Sequence, residues 1–84
     1  MESNDIIRKQ ILEIVKNQLK NNTPPEAKIT YDSLRKEGFN DVETKKMIGQ
    51  CVSVEIFEIL KTGKPYNDAR YIKNLKELPE EPFK

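Results

Sequence analysis

The chain has 84 residues, 36% of them hydrophobic and 35% charged, with 15 Lys and Arg against 14 Asp and Glu. That balance is too apolar for a disordered chain and unusually charged for a globular one; long amphipathic helices reconcile the two figures. A pI near 7.8 argues against a dedicated nucleic-acid domain, and the absence of histidine excludes Ser–His–Asp and Cys–His catalysis and acid–base work by imidazole.

Apolar periodicity predicts four helices. The first runs from about Asp5 to Lys20, capped by Ser3 or Asn4. Ile7, Ile11, Ile14, Val15 and Leu19 share one side, with Leu12 at the margin, so this stripe is expected in the core; "KNNT" ends the helix. The second opens at "TPPE", where Thr23 fits the N-cap, Pro24 the first helical position and Glu26 the third, a capping box. Its stripe of Ala27, Tyr31 and Leu34 is thin, which places it on the outside. "KEGF" stops it: Gly38 suits a left-handed turn, after which Phe39 packs back on Leu34.

The third helix follows at once. Asn40 and Glu43 form another capping box, and Gly63 with Pro65 closes the helix after Thr62. Met47, Ile48, Val52, Val54, Ile56, Phe57, Ile59 and Leu60 spread over nearly its whole circumference, the pattern of a buried central helix. Gly49 inside it costs about 1 kcal/mol relative to Ala, so the first or second helix is expected to approach closely there. Cys51, the single cysteine, permits neither an internal disulfide nor a cysteine-based zinc cluster. Acids rather than bases surround it, which suits a small filler and not a reactive thiolate.

A short fourth helix follows "KPYN", capped by Asn67 or Asp68, with Tyr71, Ile72, Leu75 and Leu78 facing inward before Pro79. Residues 1–78 therefore read as one helical domain and 79–84 as a flexible tail. The expected fold is all-α: a small four-helix bundle with a buried central third helix, the first and second across it, and the short fourth folded over its C-terminal end.

"VSVEIFEILKTGKPY" places two carboxylates, Glu55 and Glu58, three residues apart. Thr44, Cys51 and Thr62 fall on the same line, the one consistently polar strip over most of this helix, and it reads as the edge where the helix meets water. Glu58 is expected to pair with Lys61, with Arg70 or Lys73 of the fourth helix as a further basic partner. A carboxylate metal site is the sharper alternative. Bundle sites of that kind add Glu-x-x-His pairs, however, and a few Glu oxygens alone fall short of what a hard cation needs. Ser33 and Lys36 stand close by chance in a lysine-rich chain, and glycines at 38, 49 and 63 make no phosphate loop. No catalytic residue, metal or cofactor is assigned, and a non-enzymatic chain is expected.

What remains is contact with another macromolecule. Ile6 and Ile29 lie off their helices' stripes and offer apolar positions to a protein partner or a second copy of the chain. The alternative is nucleic-acid binding through the fourth-helix region, where Tyr66 and Tyr71 lie among Lys61, Lys64, Arg70, Lys73 and Lys76. Interleaved acids weaken the field, and twelve of the fifteen cations are lysine. The interaction candidates are Glu55, Glu58, Tyr66, Arg70, Tyr71 and Lys73. Met47 to Leu60 is too short and too interrupted to span a bilayer, and "MESNDIIRKQILEIVK" has acids where a leader needs bases, so no membrane and a cytoplasmic location are expected.

Two resemblances add to this. "LRKEGFNDVETKKMI" resembles the central part of ubiquitin-associated-type three-helix domains, which implies a partner-binding role for the Gly–Phe loop at Gly38 and Phe39. The ordered series "PPE", "EGF" and "VEIFEILKTGKPYNDARYIKNLKELP", covering about Pro24 to Pro79, resembles a group of short uncharacterised prokaryotic helical proteins. That resemblance implies an all-helical fold and carries no activity with it.

Overall fold

Chain-local signals set most helix boundaries in the computed structural model, which describes residues 2–82 and the side chains of residues 6–82. The elements are α1 (Glu2–Asn21), α2 (Pro25–Lys36), α3 (Asp41–Thr62) and α4 (Asp68–Glu77), with no strand among the described residues. The protein is a small all-α bundle. Residues 83 and 84 of the expected tail lie outside the described residues.

α1 begins at Glu2, upstream of the expected Ser3 or Asn4 cap. It stops where Asn22 takes a left-handed φ of 55° and the Thr23 N–H donates to the Gln18 carbonyl at 3.1 Å. Asparagine is one of the few residues besides glycine that adopt this conformation readily. The start of α2 differs from expectation. Pro24 is extended at ψ 156°, Pro25 opens the helix, and Thr23 makes no cap, its hydroxyl donating instead to the Asn21 carbonyl at 2.9 Å. The cause is Pro25 itself, because a residue preceding proline is pushed out of the helical region.

The remaining boundaries match the sequence signals. Gly38 sits at φ 108°, and the Phe39 N–H donates to the Leu34 carbonyl at 3.2 Å, the Schellman closure that turns Phe39 onto the core. At the start of α3 the Glu43 N–H donates to Asn40 Oδ1 at 2.8 Å and the Asn40 N–H to Glu43 Oε1 at 2.9 Å. Gly63, at φ 73°, ends that helix with its N–H on the Ile59 carbonyl at 2.8 Å. Asn67 caps α4, its Oδ1 accepting from the Arg70 N–H at 3.0 Å.

α3 touches each of the other helices, and α2 also packs on α4. Between them lie Val15, Ala27, Leu34, Ile48, Cys51, Val52, Tyr71, Leu75 and Leu78. The Cα radius of gyration, 12.4 Å, is near the value of about 12 Å for a globule of this length. α1 lies directly on α3 at Gly49, where a methyl group would stand 3.1 Å from Ile11 Cγ2 and 3.9 Å from Val15 Cγ2. The glycine therefore serves the close approach expected of it, with α1 as the helix that approaches.

Two expectations about burial are corrected. On α1 Val15 alone among the described side chains is fully buried; Ile11 and Leu19 pack partly against the core, while Ile7 and Ile14 stay exposed. On α3 the fully buried residues end at Glu55, and Phe57, Ile59 and Leu60 face solvent. Length explains the second correction. α3 has 22 residues, whereas α2 and α4 have 12 and 10. At 1.5 Å per residue those two are about 18 and 15 Å long, and because they pack on each other rather than end to end they leave part of a rod of about 33 Å uncovered. No helix among the described residues is long and apolar enough to cross a membrane.

Candidate functional site

The face that α3 turns inward is set by Thr44, Ile48, Cys51, Val52 and Glu55, at helical spacing and all fully buried. Three of these belong to the strip expected at the wet edge, so that expectation is overturned. The line is the core line of α3, because each polar group on it is satisfied within the chain. Thr44 Oγ1 donates to the Asn40 carbonyl at 2.8 Å. Cys51 is a free thiol that burial pushes up to about 12, which leaves it a filler and no nucleophile.

Glu55 is held by the start of α4. Arg70 Nε donates to Oε2 at 2.7 Å and Nη2 to Oε1 at 2.9 Å, a two-pronged grip on a carboxylate with no exposed surface. The Asn67 N–H adds a third bond to Oε1 at 3.1 Å. Arg70, and then the Asn67 N–H, hold the Glu55 carboxyl below its ordinary 4.5 although burial alone would raise it. One residue, Asn67, thus caps α4 through its side chain and ties it to α3 through its backbone.

This geometry settles the fate of the carboxylate pair. Arg70 was a candidate partner for Glu58; it pairs with Glu55 instead. Glu58 is half-buried and forms no ion pair among the described residues, the expected one with Lys61 included. With both Glu55 oxygens taken by a guanidinium, the two acids cannot share a metal ion. Among the described residues no cluster of three His, Cys, Asp or Glu side chains could do so either.

The fourth-helix candidates divide. Tyr71 is 1% exposed, its hydroxyl donating to Gln18 Oε1, and it meets Tyr66 edge to face with centroids 5.6 Å apart. Burial pushes both phenols upward, Tyr66 to about 12. Tyr71 is therefore unavailable for stacking on a base, and Arg70 is spent on Glu55. Of the expected lysine–tyrosine face, Tyr66 and the four lysines, Lys61, Lys64, Lys73 and Lys76, remain on the surface. Among the described residues every buried side-chain nitrogen or oxygen has a partner.

The surface feature that sequence reasoning missed lies on the other side of α3. Leu60 is 77% exposed, Phe57 64% and Ile7 46%. Ile7, Ile11, Ile56, Phe57 and Leu60, with Arg8 and Ser53, line an open apolar hollow between the first half of α1 and the last half of α3. A second hollow continues it along Leu12, Lys46, Gly49 and Gln50 and shares Arg8, Ile11 and Ser53 with the first. Along this face α3 reads Lys46, Gln50, Ser53, Phe57, Leu60: polar for its first half, apolar after Ser53. That switch was the available signal. It was hidden because Phe57 and Leu60 were counted with the core. Ile29, the other spare apolar residue, stands apart on α2.

No family model matches this chain, and no curated protein or solved structure matches it either.

Proposed function

We propose that the protein is a non-catalytic docking module whose contact surface is the apolar face shared by α1 and α3. The observation that carries this reading is the exposure of Phe57 and Leu60 beside Ile7. Isolated exposed apolar side chains are ordinary, whereas a contiguous group on two adjacent helices is the composition of a contact site. Covering a Phe or Leu side chain contributes about 1.5–3 kcal/mol each, so these two residues supply a central share of the energy that holds a partner. The core in turn has the character of a support. Its buried acid, thiol and phenol are paired or apolar in behaviour and offer nothing to a substrate. The resemblance to short uncharacterised prokaryotic helical proteins is compatible with this role and supplies no competing activity.

The experiment is site-specific photo-crosslinking in living cells. A photoreactive residue at position 57 or 60 is expected to give adducts of discrete mass, while the same residue at exposed Lys36 on α2 gives none of that mass. Absence of adducts at 57 and 60, or the same adducts from position 36, overturns the proposal.

A further inference from the structure

We infer that the occupant of the α1/α3 face is an amphipathic helix of another protein with acidic residues along its flanks; this rests on the docking role proposed above. Shape is the first argument. The two hollows share Arg8, Ile11 and Ser53 and together reach from Lys46 to Leu60 of α3, about 21 Å at helical rise, which matches roughly four turns of a bound helix. Two neighbouring helices leave a groove that a third fills with apolar anchors at i, i+3 or i+4, and i+7. Ile7, Ile56, Phe57 and Leu60 give that groove its floor.

Charge is the second argument. Acids interleave with bases along the chain, 14 against 15. Yet Arg8 and Lys46 line the groove, and among the described residues no carboxylate lines either hollow. Arg8 belongs to both hollows, at their junction, and a guanidinium there can take a carboxylate in two-pronged fashion. The same charges disfavour a second copy of this chain. A two-fold contact sets a surface against itself, so the cations Arg8 and Lys46 would face a copy of the same lining, which supplies no acid among the described residues. A nucleic acid would answer the cations and leave the apolar floor unfilled.

The test uses two synthetic 18-residue helical peptides with leucines at the same anchor spacing, one flanked by Glu and one by Lys, in fluorescence polarisation. The Glu-flanked peptide is expected to bind at least tenfold more tightly at low salt, and Arg8→Glu is expected to remove or reverse that preference. Leu60→Gln is expected to weaken its binding at least tenfold. Circular dichroism shows whether each variant keeps its helices. Equal binding of the two peptides, no binding by either, or a preference that survives Arg8→Glu overturns the inference. Self-association in sedimentation that Leu60→Gln abolishes would assign the groove to a second copy, and overturns it as well. Adducts at positions 57 and 60 without any Glu-over-Lys preference would retire the acidic partner and leave the docking role standing.

Discussion

Arg70→Met is expected to lower the unfolding free energy by about 3 kcal/mol. Its loss leaves the Glu55 carboxylate fully buried, with one backbone N–H as its remaining partner. Stranding one member of a buried ion pair costs about 3–5 kcal/mol. The lower end applies because the Arg70 side chain is 38% exposed, so water can follow into the space it vacates. For a domain of this length the total is roughly 4–13 kcal/mol, and a loss of this size lowers the melting midpoint by about 12–24 °C. Removing both partners is a different matter: Glu55→Met with Arg70→Met leaves no stranded charge and is expected to be clearly more stable than Arg70→Met alone. Thermal unfolding of the two single variants and the double variant gives the coupling directly.

The same pair fixes an acid dependence. Glu55 is held below its ordinary 4.5 in the folded protein. The folded state therefore binds the proton less readily than the unfolded chain does. The stabilisation is complete above about pH 4.5 and is lost as pH falls through the depressed folded value. Asp41, held low chiefly by the Tyr31 hydroxyl and by Lys45, titrates in the same direction. The Glu55→Met, Arg70→Met double variant should accordingly keep part of the acid sensitivity and lose the share due to Glu55.

Gly49→Leu is expected to cost about 2 kcal/mol even though it replaces a poor helix former. Leaving glycine gains close to 1 kcal/mol of helix propensity. Against this, the first added carbon already meets Ile11 Cγ2 at 3.1 Å, and three more follow it into the α1 contact. Overfilling a packed interface costs about 1–3 kcal/mol, more where a whole helix must shift. Ile11→Ala in the same chain opens the space and should restore much of the loss, which a nonspecific helix defect would not allow. An unchanged midpoint in Gly49→Leu would remove α1 from its position across α3.

What could be read from the sequence was whatever the chain decides locally. The Asn40–Glu43 box, the Gly38–Phe39 closure and Gly63 each depend on a few neighbouring residues, and all formed as expected. The Thr23 box failed for a local reason too, since Pro25 dictates the conformation of Pro24. The facing of α3 was of another kind. With apolar residues nearly all round that helix, periodicity could not choose its inner side. Thr44 and Glu55 then made the true inner line look wet. The choice is made by α4, whose Arg70 and Asn67 neutralise Glu55 from fifteen and twelve residues away. Fastened there and packed on α2, α4 contributes no residue to the hollows on the α1 side of α3. The docking face is a consequence of that clamp.

Phe57→Gln with Leu60→Gln, followed by thermal unfolding of the isolated protein, tests the account at its centre. Both side chains face solvent, so the midpoint should move by less than the equivalent of about 1 kcal/mol. Were the end of α3 buried within the chain, each substitution would cost about 2–5 kcal/mol. A combined loss of that size would contradict the exposed face and the function built on it.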